Sequence, residues 1–271
     1  MKAMVLAAGL GTRLRPLTDD RPKALVEIAS RTLLEITLTR LQSFGVTEAI
    51  VNVHHFADLM VDYLKAHKNF GMRIEVSRED VLLDTGGGLK KAAWFFLQGE
   101  GSGAEPFLLH NVDVISSIDL GRMIRAHKES NALATLAVQK RESSRQLLFD
   151  EHGQLSGRRA GRDREPEIVR GAARLRPLAF SGIHVISPRF FTMMTEDGVF
   201  SIIDTYLRLA AQGGGITAFR ADEYDWRDLG RPESVEQAAE EYRQLVQDSR
   251  NSNDPETKRR LGDRLGRKNF G

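Results

Sequence analysis

Short apolar runs alternate along the chain with stretches whose apolar residues recur every three or four positions. Residues 4–8 form the first run and read as a buried strand that ends at two glycines, Gly9 and Gly11. Residues 32–44 place Leu34, Leu38 and Leu41 on one helical face, and Gly45 is positioned to end that helix. A strand at 49–53, a helix at 56–68 and a strand at 73–77 follow. Three glycines, Gly86 to Gly88, open a helix that runs to about Leu97. Strands are expected at 106–110 and 133–138. The helix between them, near 119–129, has Ser116 or Ser117 as its nearest capping candidates. Residues 147–155 read as a hairpin turning at His152-Gly153, 179–186 as a strand, and 200–212 as an amphipathic helix carrying Ile203, Leu207 and Ala210. A helix at 234–247 closes the pattern. Strands alternating with helices imply an α/β fold, with a parallel sheet covered on both faces.

Composition narrows the class. The chain has 271 residues and no cysteine, which excludes disulfides and Cys-based zinc sites. No apolar run is long enough for a membrane span and nothing resembles a signal peptide, so a cytoplasmic protein without membrane partners is expected. The net charge of +2 is a property of the tail. Residues 246–271 hold seven Lys/Arg against four Asp/Glu, a net +3, which leaves 1–245 at −1. The tail reads as solvated and flexible rather than as a nucleic-acid surface.

The first loop carries the candidate chemistry. Gly9 and Gly11 permit close backbone approach, and successive amides in such a turn form an anion-binding concavity. Arg13, Arg15 and Lys23 follow closely, which suggests a bound polyphosphate. The dinucleotide fingerprint is excluded because Leu14 stands where its third glycine belongs. The P-loop is excluded because Gly9 and Gly11 are too close together. Gly86 to Gly88 offer a second bare backbone at a helix start, suited to an anion or a base edge. Asp113 lies at the carboxyl end of a strand, where open α/β sheets bind ligands, and its carboxylate suits Mg²⁺. His54 and His55 are adjacent and point to opposite faces of an extended segment, so they read as loop residues rather than a shared metal site. Residues 156–176 hold seven arginines and read as a surface loop from composition. Before any resemblance is considered, Asp228 in the acidic turn 224–233 reads as a helix cap.

Leu6-Ala7-Ala8-Gly9-x-Gly11-Thr12-Arg13-Leu14-x-Pro16-Leu17-Thr18, followed by Arg21-Pro22-Lys23-Ala24-Leu25-Val26, resembles the signature of the sugar-1-phosphate nucleotidyltransferases. The resemblance covers roughly residues 2–245, the expected catalytic domain, and leaves 246–271 as the tail. It extends to the T-G-G-G run, to Asn111-Val112-Asp113 with Val112 where glycine is usual, to Gly182, and to Trp226-x-Asp228-x-Gly230-x-Pro232-Glu233. It implies a Rossmann-like, mixed, mostly parallel sheet that binds a nucleoside triphosphate and a sugar 1-phosphate. By resemblance, Leu6, Ala7, Ala8, Gly9, Gly11, Thr12 and Gly86, Gly87, Gly88 meet the nucleotide, and Asn111 and Gly182 meet the sugar. Asp113 and Asp228 would then hold Mg²⁺. Arg13 would draw out the pyrophosphate, and Lys23 would face the α-phosphate or the acceptor phosphate. The family's Glu-Lys pair after the hairpin is absent, leaving Arg158 or Arg159 as substitutes. The compact chain looks most like members that use UTP on a cell-wall N-acetylmuramate 1-phosphate. GTP with mannose 1-phosphate is the alternative, and a glycosyltransferase or a non-catalytic regulatory subunit are the rival classes. The sequence leaves the oligomeric state undetermined.

Overall fold

The computed structural model of the chain describes residues 1–98, 105–161 and 164–251. In chain order the elements are β1 (Lys2–Leu6), β2 (Glu27–Ile28), β3 (Arg31–Thr32), α1 (Leu33–Ser43), β4 (Glu48–Val53), α2 (Ala57–Ala66) and β5 (Arg73–Arg78). Next come α3 (Asp84–Lys91), α4 (Ala93–Leu97), β6 (Phe107–Asn111), β7 (Val114–Ser116), α5 (Leu120–Ser130), β8 (Ala134–Gln139), β9 (Arg145–Phe149) and β10 (Leu155–Ala160). The chain continues through β11 (Glu167–Ile168), β12 (Arg176–Ile186), α6 (Ile202–Ala211), β13 (Ile216–Arg220), β14 (Trp226–Asp228) and α7 (Pro232–Asn251).

Ten of these strands form one mixed sheet. Strand β1 runs parallel to β4, with Leu6 opposite Asn52, and parallel to β6, with Leu6 opposite Asn111. Strand β5 extends this parallel half. Beyond β6 the direction reverses at β12, which is antiparallel to β6, β8 and β9. The expected α/β architecture with both faces covered is what forms. Alternation along the strands sorts the core: Ala3, Val5, Ala49 and Val51 join α1, α2, α5 and α7 on one face. Met4, Ile50, Phe107 and Leu109 join α3, α4 and α6 on the other.

Local chemistry explains the element ends. Thr32 caps α1 by accepting from the Glu35 amide at 3.1 Å, and Gly45 takes a φ of +83° just beyond its end. Asp119 caps α5 by accepting from the Arg122 amide at 2.8 Å. The serines expected in that role do other work: Ser116 belongs to β7, and the Ser117 hydroxyl accepts from the Asp225 amide. The β9–β10 turn is built by Asp150, whose Oδ1 accepts from the His152 and Gln154 amides.

Two further expectations are corrected. The arginine-rich stretch is not simply a loop: β10 and β11 pair antiparallel and carry the sheet outward, with Arg158 opposite Glu167. Strand β10, buried over Leu155, Ser156 and Gly157, has backbone partners on both edges, which composition did not reveal. The three glycines do lie near the start of a helix, α3, but they are buried rather than bare, and the helix breaks at Ala92 before α4 instead of running through to Leu97. Helix α7 continues to Asn251, and the rest of the basic tail, 252–271, lies outside the described residues.

The interior carries three buried imidazoles. Burial lowers His110 and His127 to about 4 and His184 to about 3. His127 shares hydrogen bonds with Thr135 Oγ1 and Ser187 Oγ, and His184 with the Tyr206 hydroxyl. These groups are neutral in the fold and take up protons near pH 6.5 when unfolded. The unfolded chain therefore binds more protons below that pH, and stability is lost as pH falls from about 6.5 toward 4. Urea unfolding midpoints should drop from pH 7 to pH 5. His127→Gln, which keeps hydrogen bonding but not titration, should flatten that drop, and an unchanged slope would contradict the assignment.

Candidate active site

The site gathers at the carboxyl ends of β1, β4 and β6. After β1 the chain leaves the sheet through Ala7 and Ala8, both buried, and then turns at Gly11, whose φ is +67°. A side chain at Gly11 would press on Thr18 Cγ2 at 3.0 Å and Lys23 Cβ at 3.4 Å. The loop therefore folds back so that the glycine turn and Lys23 are in contact. Thr18 secures the fold-back by donating to the Gly11 carbonyl at 2.9 Å. A single helical turn, Thr12–Leu14, buries Leu14 and leaves Thr12 and Arg13 outside. A second short turn after Pro22 carries Lys23.

Strand β6 brings Asp113 to this place. The Val112 amide donates to the Leu6 carbonyl at 3.2 Å, which ties the two strand ends together. Val112 buries its side chain, and it is not among the described residues with positive φ, so the glycine usual at this position is not needed. Lys23 Nζ pairs with Asp113 Oδ2, both side chains mostly buried at 14% and 13% exposure. Strand β14 pairs with β7, setting Asp228 opposite Val114, and the Leu229 amide donates to the Asp113 carbonyl at 2.8 Å. Asp228, inside the ladder, and Asp113, one residue before it, are thus brought near each other along the backbone although remote in sequence.

Arg13 completes the cluster. Asp228 Oδ1 accepts from the Gly230 amide at 2.6 Å, forming a tight turn before α7. A Cβ added at Gly230 would stand 2.6 Å from that oxygen and 2.9 Å from Arg13 Nη2, so Arg13 and Asp228 flank one point. Lys23 with Asp113, and Arg13 near Asp228, therefore form two groupings of a cation and a carboxylate after the strand ends. Asn111 and Gly182 also come together. Gly182, with φ of +74°, sits at an irregularity in β12, and a side chain there would reach Asn111 Nδ2 at 3.0 Å and Val114 Cγ2 at 2.9 Å.

Gly86 to Gly88 are close-packed. The Gly86 and Gly87 amides both donate to the Phe200 carbonyl, at 2.9 and 3.3 Å. Side chains at Gly86 and Gly87 would collide with Phe200 and with the Gly198 carbonyl. Arg158 pairs with Glu167 at 2.7 Å and with Asp204 at 2.5 Å. His54 Nδ1 hydrogen-bonds the Glu79 carbonyl.

Sequence reading missed several members of this region. Arg141 lies 3.6 Å over the Trp226 ring and donates to the Phe180 carbonyl at 2.7 Å, while Trp226 Nε1 donates to the Ser181 carbonyl at 2.8 Å. Asn52 and Glu79 are buried beside the first loop. For Asn52 there was a signal, a lone amide interrupting the apolar strand around it. Arg141 had none.

Whether this donor set fits a divalent metal is decided by its chemistry. The described residues contain no group of three or more His, Cys, Asp or Glu able to hold an ion unaided. Asp113 and Asp228, both carboxylates, have the ligand chemistry that suits an oxygen-seeking cation taking the rest of its shell from phosphates and water. No helix among the described residues is long and apolar enough to cross a membrane.

Comparison with known proteins agrees with this geometry. The nucleotidyl transferase family model matches residues 2–147. An N-acetylmuramate alpha-1-phosphate uridylyltransferase of Caulobacter vibrioides is 38% identical over 86% of this chain and 93% of its own. A mannose-1-phosphate guanyltransferase of Xenopus laevis is 30% identical over 86% of this chain and 62% of its own, so this chain spans less than two thirds of that relative. Among solved structures, a putative glucose-1-phosphate thymidylyltransferase from Bacillus anthracis superposes with a TM-score of 0.71 at 19% identity, covering 89% of this chain and 94% of its own. A UDP-glucose pyrophosphorylase complexed with UDP-glucose does so with 0.70 at 19% identity, covering 90% and 98%. With its glycine turn, its paired cations and carboxylates, and relatives matched along most of its length, the chain belongs to the nucleotidyl transferase family.

Proposed function

We propose that this protein transfers a nucleoside monophosphate from a nucleoside triphosphate, UTP in preference, to a sugar 1-phosphate, releasing pyrophosphate. The observation that carries the reading is the convergence of Arg13, Lys23, Asp113 and Asp228 beside the glycine turn. UTP, and an N-acetylmuramate-type acceptor of cell-wall metabolism, are favoured because the uridylyltransferase relative matches over nearly its whole length. Residues 1–245 are assigned as the catalytic unit and 246–271 as a basic tail. A regulatory subunit is the less favoured reading, because both metal-type aspartates and Lys23 are present together.

One oxygen of the sugar 1-phosphate attacks the α-phosphorus, the bond to the β-phosphate oxygen breaks, and pyrophosphate departs. The nucleophile is largely ionised near neutral pH, its second pKa lying near ~6, so no base is required. The work left to the protein is alignment and charge absorption. Leu6 to Gly9 form one wall of the nucleotide subsite, with Gly11 and Thr12 at the phosphates. The start of α3 forms the other wall. The Gly86 and Gly87 amides are already engaged with Phe200, so Gly86 to Gly88 serve by letting the walls close rather than by donating. Arg13, exposed on its short turn, binds the departing pyrophosphate. Lys23 serves the α-phosphate or the incoming acceptor phosphate. Asn111 and the backbone at Gly182 orient the sugar. Asp113 and Asp228 would hold Mg²⁺, which when bound neutralises phosphate charge.

Three measurements test this. Arg13→Ala and Lys23→Ala should each reduce kcat/KM by about 10²–10³, the size of losing one transition-state donor. Near-normal turnover by Lys23→Ala would refute its role. Asp113→Asn and Asp228→Asn should each lose most activity, and EDTA should stop the wild type until Mg²⁺ or Mn²⁺ is restored. Full activity of Asp228→Asn would return that residue to shaping the turn before α7. In competition, UTP should outpace GTP. A GTP preference above ~10-fold, about 1.4 kcal/mol, would favour mannose 1-phosphate as acceptor instead.

A further inference from the structure

One buried polar pair joins the two walls of the nucleotide subsite. Asn52, near the end of β4, is 3% exposed, and Glu79, one residue past β5, is 4% exposed. Asn52 Oδ1 accepts from the Ala7 amide at 2.7 Å, and Asn52 Nδ2 donates to Glu79 Oε1 at 2.7 Å. Glu79 Oε2 accepts from the Leu83 amide at 3.0 Å. An unbroken chain of hydrogen bonds therefore runs from the first loop, at Ala7, to the residue that precedes α3. The strands fix its ends: Asn52 lies opposite Leu6 and Ser77, and the Glu79 amide donates to the Val53 carbonyl at 2.8 Å. Helix α3 sits directly on the pair. A Cβ at Gly88 would stand 2.8 Å from Glu79 Oε1 and 2.9 Å from Asn52 Nδ2, so only glycine admits this approach.

Burying this carboxylate is expensive unless every oxygen is satisfied. Glu79 makes no ion pair among the described residues, and two N–H donors answer its two oxygens instead. An apolar pair of the same size would fill the space without that desolvation. It would not fix the spacing of two backbone segments through directional bonds. The pair also spends the Ala7 amide, which is therefore engaged within the protein.

We propose that Asn52 and Glu79 are positioning residues for the nucleoside triphosphate, locking the spacing of the Ala7–Gly9 wall against the start of α3. The assignment rests on the nucleotidyl-transfer reading. The test compares the full-length wild type with Asn52→Ala, Asn52→Asp and Glu79→Gln. The readouts are KM for UTP and for the sugar 1-phosphate, thermal midpoint, and amide hydrogen exchange over residues 5–9 and 82–88.

Asn52→Ala and Glu79→Gln should raise KM for UTP about tenfold or more and leave KM for the sugar phosphate within about twofold, a selective loss of ground-state nucleotide binding. Exchange should quicken in both segments, although Glu79→Gln leaves the Ala7 bond in place and Asn52→Ala leaves the Leu83 bond in place. Asn52→Asp keeps an acceptor for Ala7 but loses the donor to Glu79. It should behave like Asn52→Ala if the link between walls matters, and like wild type if only the Ala7 bond does, which would overturn the proposal. Leu64→Ala, in the last turn of α2, should lower the thermal midpoint without moving KM for UTP. Variants that lose stability while keeping the UTP KM and the exchange of the far segment would reduce the pair to ordinary core. If the wild type transfers no nucleotide to any sugar phosphate, the functional reading fails. The exchange coupling between the two segments still decides whether the link exists.

Discussion

Everything in this molecule hangs on the confinement of β1. The strand is hydrogen-bonded to parallel neighbours on both edges and covered by helices on both faces. Within such a strand the backbone is spent on its neighbours, and only its last residue, Leu6, borders the loop that follows. The chain first has bare, turning backbone at the carboxyl end, and there the parallel strands β4 and β6 also stop. Parallel pairing puts all three ends on one edge of the sheet, so the polar groups that follow them must meet: Ala7 with Asn52, Leu6 with Val112. The site is a consequence of strand direction before it is a consequence of any particular side chain.

The charged cluster shows how such an edge holds groups that would otherwise repel. Asp228 lies in the β7–β14 ladder and Asp113 one residue before it, and each is accompanied by a cation: Lys23 on Asp113, Arg13 beside Asp228. Arg141 adds positive charge near Asp228 while it stacks on Trp226, and burial pushes its own pKa down. Lys23 and Asp113 are mostly shielded from solvent, so their interaction is screened less than a surface pair would be. On the proposed reading, the same shielding would strengthen the interaction of these groups with a phosphate. Arrangement of charge in advance of the ligand is what a phosphate-transfer site requires.

The sequence made the alternating elements and the glycine turn readable because both obey local rules. Apolar periodicity follows from which face is buried, and Gly11 from the φ its turn demands. Asp119 was misjudged because three candidates within four residues all had the chemistry of a cap. Only the β7–β14 pairing, a contact between distant segments, takes Ser116 and Ser117 for other partners. The arginine-rich stretch misled for a related reason. Its charge describes its exposed face, while the strand pairing of Gly157 and Arg158 depends on β9 and β11. Asp228 was placed beside Asp113 by resemblance alone, since no spacing rule connects them.

The glycine run illustrates how the same residues satisfy a different demand from the one first assigned. Bare backbone at a helix start invites the expectation of an open anion site. Here each glycine instead removes a collision: Gly86 with Phe200, Gly87 with the Gly198 carbonyl, Gly88 with Asn52 and Glu79. Three obstacles on three sides of one helical turn leave no room for a Cβ at any of them. The segment at 198–202 is tied down by the same turn, because Phe200 accepts from two of its amides and Thr85 Oγ1 accepts from Ile202. Helix α3 is therefore wedged between the parallel half of the sheet and the start of α6. A ligand in the subsite meets a wall whose position is set from both sides. The run is thus a condition for the close assembly of α3 against its neighbours.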